Sequence, residues 1–289
     1  MNWTPRRQAL RAILQGAACV HPASVFDALS ARTAEGVGFE CGMFAGSIGS
    51  LAVIGAPDLI VLTLTEFAQQ AMRVNRACSI PVIADADHGY GNALNVMRTV
   101  EEMEIAGIAA LTIEDTLLPR AFGDAKTRPV SIEEGVGKMK AAVAARSDPS
   151  LVVLARTGAV SMTGLDDTLA RVRAYSDTGV DGVFLAGLKT REEVRAARAA
   201  TKLPIMLGAL SPELEDKEFL AAHGVRLALQ GHLPFMAAAE ATRATMQALR
   251  DGVKPKDVKG LPDGAFMKKI SREEVYRKAT SAYLEPNPK

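Results

Sequence analysis

Carboxylate side chains end two apolar segments that follow one another in the chain. The stretch "IADADHGYGNA" (residues 83–93) places Asp85 and Asp87 at the end of an apolar run, and Glu114 ends the next such run. Asp85 and Asp87 are two residues apart, so both side chains point to the same side of an extended backbone. An oxygen-rich group of this kind suits Mg²⁺ or Mn²⁺. Zinc is disfavoured, because no His or Cys pair has ligand spacing.

An arginine near these carboxylates has two interpretations. Arg156 ends the apolar run in "LVVLARTG". It can bind a substrate carboxylate in bidentate geometry, or it can form a buried ion pair with Glu114 or Asp115. Carboxylates at strand ends also commonly cap the following helix, so both a metal site and a purely structural role remain open.

A serine and a histidine follow two further apolar runs. Ser47 lies in "FAGSIGS", where its hydroxyl and the neighbouring amides can bind anionic oxygens, although the segment also fits an ordinary glycine-rich turn. His232 lies in "ALQGHLPF" at the start of a long helical segment. It can polarise a carbonyl, carry a proton or simply cap that helix.

These residues lie at the ends of short apolar runs that predict buried strands. Amphipathic segments with helical spacing, such as "ALNVMRTVEEMEIAG", separate most of the runs. The runs are Cys19–Phe26, Cys41–Gly46, Ile80–Asp85, Ala110–Glu114, Leu151–Arg156, Gly182–Ala186, Leu203–Leu207 and Val225–Leu229.

Eight apolar strands alternating with helices predict an α/β protein with a closed (β/α)8, TIM-type barrel. A doubly wound sheet is the alternative, but no GxGxxG follows the first run. We expect the barrel to occupy residues 1–252, including the helix after the eighth strand, with a helical tail over 253–289. These extra C-terminal helices can pack on a neighbouring subunit or on their own barrel.

The composition narrows the set of partners. The formal net charge is +1, which gives no indication of nucleic acid or an anionic membrane surface as a partner. No segment approaches 18 uninterrupted apolar residues. Cys19, Cys41 and Cys78 are widely spaced and fit reduced thiols better than disulfides. We therefore expect a soluble, cytoplasmic protein.

Residues 85–123 resemble the isocitrate lyase and phosphoenolpyruvate mutase superfamily, most closely its oxaloacetate decarboxylase branch. The resemblance continues in the expected order through the segments "SVFDALSARTAEGVGFECGMFAGS", "LTLTEF", "SIEEGVGKMKAA", "LARTGA" and "QGH". It covers roughly residues 8–250, which makes it far more specific than one short motif.

This resemblance implies several properties of the chain. It implies a (β/α)8 barrel whose helix after strand eight is exchanged between paired subunits, in a homotetramer built as a dimer of dimers. It implies Mg²⁺ bound by Asp85, with Asp87 and Glu114 reaching the ion through water. Ser47, Arg156 and His232 match the substrate-binding serine, arginine and histidine of the family, and Asp58 matches an acidic position near the metal.

The segment after the fourth strand separates the activities of the superfamily. Its isocitrate and methylisocitrate lyases carry a catalytic cysteine there, whereas this chain reads "LLPRAFGDAKTRPVS". Without that thiol acid, a retro-aldol lyase lacks its usual proton donor. The expected activity is therefore that of a carboxy-lyase: Mg²⁺-dependent decarboxylation of oxaloacetate, or of a related 2-oxo diacid, to pyruvate and CO₂ through a metal-stabilised enolate, with Arg156 and His232 as catalytic residues.

Two alternatives and one departure accompany this expectation. Phosphonopyruvate or phosphoenolpyruvate chemistry at a P–C bond can use the same barrel, and the chain can also be a barrel that binds a carboxylate without turnover. Gly158 stands where many members of the resembled superfamily have an acidic or amide residue, and Leu210 lies in "MLGALS", where they often have a polar or aromatic side chain. They predict a roomier, more apolar pocket for a 3-substituted or longer 2-oxo acid.

Overall fold

The computed structural model of the chain describes residues 1–285. Within this range, eight strands alternate with helices along the chain. The strands are β1 Ala23–Ser24, β2 Gly42–Ala45, β3 Val82–Asp85, β4 Ala110–Glu114, β5 Val152–Thr157, β6 Gly182–Leu185, β7 Ile205–Leu207 and β8 Val225–Ala228. The helices are α1 Thr4–Gln15, α2 Ala28–Val37, α3 Gly46–Ile54, α4 Leu64–Ala77, α5 Ala93–Ile105, α6 Ile132–Ala145, α7 Leu165–Ser176, α8 Arg191–Ala200, α9 Lys217–Ala222, α10 Leu233–Arg250, α11 Gly264–Ser271 and α12 Glu273–Tyr283.

The strands form one parallel sheet in the order of the sequence, from β1 to β8. A parallel bridge between Val20 and Leu227 joins β8 to the segment that precedes β1, where the Val20 N–H donates to the Arg226 carbonyl at 3.0 Å. The sheet therefore curls into a TIM-type barrel, as the alternating pattern predicted, and the doubly wound alternative is wrong. Seven of the eight predicted apolar runs contain a whole strand, and the eighth, Leu151–Arg156, contains all of β5 except Thr157.

Alternation along each strand divides the side chains between two sides of the sheet. In β4, Leu111 and Ile113 pack against the outer helices, whereas Ala110 belongs to the cluster inside the barrel. This interior cluster also contains Leu10 and Leu14 of α1. Because Arg11 of α1 binds the carbonyls just before β5, α1 covers the end of the barrel where the strands begin.

Side-chain caps fix the residues at which the outer helices begin, and so set the length of the loops that precede these helices. Thr63 and Glu66 form a capping box at the start of α4, and Ser131 caps α6. Asn92 caps α5 directly after the turn that carries Asp87. The loops that lead into α4, α5 and α6 therefore end at defined residues.

The chain divides into two compact units, Met1–Leu233 and a second that starts at Pro234. The second unit contains most of α10 together with α11 and α12. The assignment of α10 to the barrel, with a boundary at residue 252, stays a prediction. Among the helices of residues 1–285, none is long and apolar enough to cross a membrane.

Candidate active site

A cavity of about 180 Å³ lies at the carboxyl-terminal ends of the strands. Five of the six residues proposed from the sequence line it, and the sixth, Glu114, pairs with one of them. The lining consists of Met43, Ala45, Ser47, Asp58, Asp85, Asp87, Arg156, Phe184, Ala186, Gly208, Ala209, Leu229 and His232. Active sites of TIM barrels lie at this end of the strands.

Asp85 is the last residue of β3 and is held by two donors. The Thr112 hydroxyl of the neighbouring strand donates to Asp85 Oδ1 at 2.6 Å, and Arg156 Nη1 donates to Oδ2 at 2.5 Å. The side chain is buried. Each carboxylate oxygen has two lone pairs, so both oxygens keep one for a further ligand.

Arg156 lies between two carboxylates at the centre of the site. Strand register places Arg156 opposite Glu114, and its Nε lies 3.3 Å from Glu114 Oε2. Burial alone would lower the pKa of Arg156, but the charges of Asp85 and Glu114 overcome this effect and raise it. The ion pair expected with Glu114 is confirmed. Within residues 1–285, Nε has no hydrogen-bond partner and no hydrogen bond from Nη2 to a protein acceptor is present, so Nη2 can donate to a ligand.

Asp87 reaches the cavity by a different route from the one its spacing suggested. The strand ends at Asp85, and Asp87 adopts the left-handed conformation with φ of 49° in the turn that follows. The assumption of extended backbone is therefore wrong at this position. Its carboxylate lies against the start of α3, where a Cβ on Gly46 would come within 2.5 Å of Asp87 Oδ2. Glycine at position 46 makes room for this carboxylate.

The site carries more negative than positive charge. Burial first, and then the charges of Asp85, Glu114 and Asp58, raise the pKa of Asp87 well above its usual value. Burial also raises the pKa of Glu114, although Arg156 opposes this shift. Four carboxylates thus share one guanidinium.

A divalent cation fits this charge and these oxygen donors. In residues 1–285, no three His, Cys, Asp or Glu side chains have the arrangement of an ion site. The Asp85 oxygens instead contact Arg156 and Thr112. The fit therefore rests on the surplus negative charge and the chemistry of the donors.

Ser47, Asp58 and His232 complete the rim of the cavity. Ser47 is the second residue of α3, and Asp58 lies in the loop between α3 and α4. His232 follows β8, and its Nδ1 lies 2.9 Å from Ser24 Oγ. Burial lowers the pKa of His232, against the opposing charges of Asp85 and Asp58, which favours a neutral imidazole.

Two expectations about neighbouring residues need correction. Asp115 does not pair with Arg156; its Oδ2 accepts hydrogen bonds from Tyr175 at 2.8 Å and Arg171 at 3.1 Å. The alternation of β4, continued by one residue, sends Asp115 to the opposite side from Glu114.

The apolar part of the pocket also lies elsewhere. Gly208 and Ala209 follow β7 and line the cavity, whereas Leu210 packs against the outer core. Gly158 does not line it either. Ser24 was missed, because a two-residue strand in a longer apolar run gives little indication of which side chain faces the site.

Comparison with known proteins gives the family. A family model described as phosphoenolpyruvate phosphomutase matches residues 10–250. The chain belongs to this phosphoenolpyruvate phosphomutase family. The match confirms the superfamily recognised from the segments around Asp85, Arg156 and His232.

Similar proteins match nearly the full length of the chain. An "oxaloacetate decarboxylase" of Bradyrhizobium sp. (strain BTAi1) is 54% identical, over 99% of each chain. Among solved structures, an oxaloacetate acetylhydrolase in complex with the inhibitor 3,3-difluorooxalacetate has a TM-score of 0.85 at 29% identity, over 96% of this chain and 97% of that one. A phosphonopyruvate hydrolase in complex with oxalate and Mg²⁺ has a TM-score of 0.84 at 30% identity, over 97% and 99%.

Proposed function

We propose that this protein is an oxaloacetate decarboxylase, a carboxy-lyase that converts oxaloacetate to pyruvate and CO₂. The observation that carries the proposal is one cavity lined by Asp85, Arg156 and His232, in a chain 54% identical over nearly its whole length to a protein of that name. The absence of a cysteine in residues 117–131 also fits decarboxylation, which needs no thiol acid.

The side chains at the barrel mouth divide into two groups in this proposal. Arg156 Nη2 and the Ser47 hydroxyl bind the C1 carboxylate of the substrate, because both residues line the cavity and both groups can donate hydrogen bonds to a carboxylate. Asp85, Asp87 and Glu114 hold Mg²⁺, or Mn²⁺ in its place, with Asp58 nearby. When bound, the ion supplies Lewis-acid polarisation of the 2-oxo group.

The proton that completes pyruvate comes from water. Cys19, Cys41 and Cys78 are all buried, and none lines the cavity. Burial raises the pKa of the Cys41 thiol to about 12, which makes it a poor acid. His232 is the only imidazole that lines the cavity among the described residues, so we assign it to substrate binding and to catalysis.

The test is release of CO₂ from oxaloacetate by the purified protein with Mg²⁺. We expect turnover that chelation of the metal abolishes, and a loss of about 10³-fold or more in an Asp85→Ala variant. Glu101→Ala, which removes an exposed carboxylate from α5, is the matched control and keeps full activity. An equal rate in the Asp85→Ala variant would refute the assignment.

Phosphorus–carbon chemistry is the second candidate, because the family model carries a phosphomutase description and a phosphonopyruvate hydrolase has a similar fold. Phosphorus NMR with phosphonopyruvate separates the two activities. Oxalate binding without turnover of any 2-oxo acid would instead indicate a binding protein.

The cavity has room for substrates larger than oxaloacetate, which we expect the enzyme to accept in addition to oxaloacetate itself. Gly208 and Ala209 leave its β7 side without long side chains, and a second cavity of about 120 Å³ adjoins it at Met43 and His232. We expect 3-substituted oxaloacetates to be accepted. A strong preference for unsubstituted oxaloacetate in a substrate panel would contradict this.

We also propose a cytoplasmic homotetramer, a dimer of dimers in which α10 is exchanged between subunits. No residue of α10 is buried within the chain, and it exposes Leu233, Met236, Met246 and Leu249. Exposed apolar area of this kind commonly marks an interface. Light scattering should give four subunits, and Met236→Glu should reduce that number. A monomeric wild-type protein would contradict the proposal.

A further inference from the structure

Ser24 contacts the imidazole of His232 and lines the smaller cavity that adjoins the main one. It is the last residue of β1 and is 8% exposed. Its Oγ lies 2.9 Å from His232 Nδ1, and this is its one hydrogen bond in the described chain. The two residues lie across the seam of the barrel, which the His21 Nδ1 hydrogen bond to the Ala228 carbonyl fixes at 2.7 Å. The serine is therefore held at a set distance from the ring.

The number of donors decides which atom carries the proton. A hydroxyl has one proton to donate, and His232 Nδ1 is the acceptor within reach of Ser24. If Nδ1 carried the imidazole proton, the buried Ser24 hydroxyl would have no protein acceptor within residues 1–285, which is unfavourable. Ser24 therefore donates to Nδ1, and the neutral ring carries its proton on Nε2.

Both nitrogens of the ring then have a defined role. His232 lines the main cavity, and Nδ1 is taken by Ser24. The Nε2–H group is left as the polar group that the ring can offer to a ligand. It is a hydrogen-bond donor and has no lone pair with which to accept a proton.

We propose that Ser24 is a positioning residue that holds His232 as the Nε2–H tautomer, which makes the imidazole a hydrogen-bond donor to the substrate and not a base. The assignment of the tautomer stands on the contact itself. The role towards substrate rests on the proposed decarboxylation.

The movement of electrons during decarboxylation determines at which substrate oxygen a hydrogen bond from His232 Nε2–H lowers the barrier. The C3–C4 bond breaks, its electron pair forms the C2–C3 double bond, and negative charge moves to the 2-oxo oxygen. The C4 carboxylate leaves as neutral CO₂, and a proton from water adds at C3. A donor on the departing carboxylate would stabilise the charge that must leave it. His232 therefore contributes to catalysis when its N–H meets an oxygen of the retained end, where charge grows.

A matched pair of variants tests the serine. Ser24→Thr keeps the hydroxyl and Ser24→Val replaces it with a methyl group of the same shape, while the adjoining 120 Å³ cavity leaves room for both. We expect the threonine variant to keep kcat within about threefold and the valine variant to lose about tenfold, with KM little changed. Equal kcat values in the two variants would overturn the catalytic part of the proposal.

Nitrogen NMR tests the tautomer without any activity. The chain has four histidines, so a spectrum of the His232→Gln variant identifies the His232 signals. We expect the Nε2–H form in the wild type and in Ser24→Thr, and a mixture of tautomers in Ser24→Val. A wild-type Nδ1–H form would refute the proposal. A fixed Nε2–H form in a protein that does not decarboxylate any 2-oxo acid would instead refute the proposed function and leave the role of Ser24 intact.

Discussion

The two ends of the barrel use the same kinds of charged residue in opposite ways. At the end where the strands begin, Arg7 lies 2.7 Å from Asp148, and both Arg11 and Arg146 bind Asp181, at 3.0 and 2.7 Å. Each of these acids has at least one arginine. At the other end, the described residues give Asp85 and Glu114 one shared arginine, Arg156, and give Asp58 and Asp87 no ion-pair partner.

The pKa shifts of the two ends differ in direction. Hydrogen bonds from Ser150, Arg7 and Thr4 overcome burial and lower the pKa of Asp148, so its charge stabilises the fold. The pKa of Asp87 is raised, so its charge opposes the fold. Ion pairs stabilise the end of the barrel where the strands begin, which we call the closed end. The end with the cavity, which we call the mouth, carries surplus negative charge that a bound ligand can neutralise.

Removing one arginine from each end should give the largest difference in kcat/KM between two variants. Arg156→Met should lower kcat/KM by about 10³-fold, because substrate binding and the compensation of Asp85 and Glu114 are both lost. Arg146→Met removes a similar ion pair from the closed end and should leave kcat/KM within about threefold. Steady-state kinetics on folded protein measures both. Equal losses would show that the arginine at the mouth has no special role.

Removing an ion pair at the closed end should lower the free energy of unfolding. Arg7 has a side chain only 5% exposed, and it donates to the Ile108 and Glu104 carbonyls as well as to Asp148. Arg7→Met should therefore lower the free energy of unfolding by about 3 kcal/mol. Urea denaturation measures the loss, and kcat per folded molecule should not change. A loss below about 1 kcal/mol would mean that the network adds little.

The pH dependence of the free energy of unfolding should show that the Asp148 carboxylate stabilises the closed end. Asp148→Asn should lower the free energy of unfolding by about 2 kcal/mol at neutral pH, because four donor groups from three residues lose a charged acceptor. The folded-state pKa lies below that of the unfolded chain, so this contribution is complete above the unfolded value, near pH 4, and is lost as the pH falls below it. Denaturation of both proteins at several pH values should show the difference shrinking in acid. A difference independent of pH would point to packing instead.

The sequence predicted the barrel because its signals are local and repeated. Each apolar run ends at the residue where a strand ends, to within a few positions, and Arg156 and Glu114 lie opposite each other near the ends of neighbouring strands, where their places in the runs put them. The conformation of Asp87 could not be predicted from the sequence, because the left-handed turn after β3 depends on how its carboxylate packs against Gly46. The contact of Ser24 could not be predicted either, since its partner is 208 positions away in the chain. Contacts across the seam are fixed only by closure of the barrel.

The smallest expected effect is the one that most directly tests the comparison of the two ends. Asp87→Asn keeps the shape of the side chain and removes one of the crowded charges. Without metal, it should raise the free energy of unfolding by about 1 kcal/mol, because a carboxylate with a raised pKa destabilises the fold when ionised. Asp148→Asn is the matched change at the closed end and should act in the opposite direction.

Magnesium should reverse the order of stability at the mouth. A cation that binds only the folded state stabilises it by mass action, by about 2.7 kcal/mol at a concentration one hundred times its Kd. With Mg²⁺, the wild type should therefore become more stable than Asp87→Asn, whose site has lost one negative charge. Thermal unfolding of both proteins, with and without Mg²⁺, measures this crossover. If Asp87→Asn is destabilising in the absence of metal, the carboxylates at the mouth are paired as well as those at the closed end, and the surplus charge that supports the metal site does not exist.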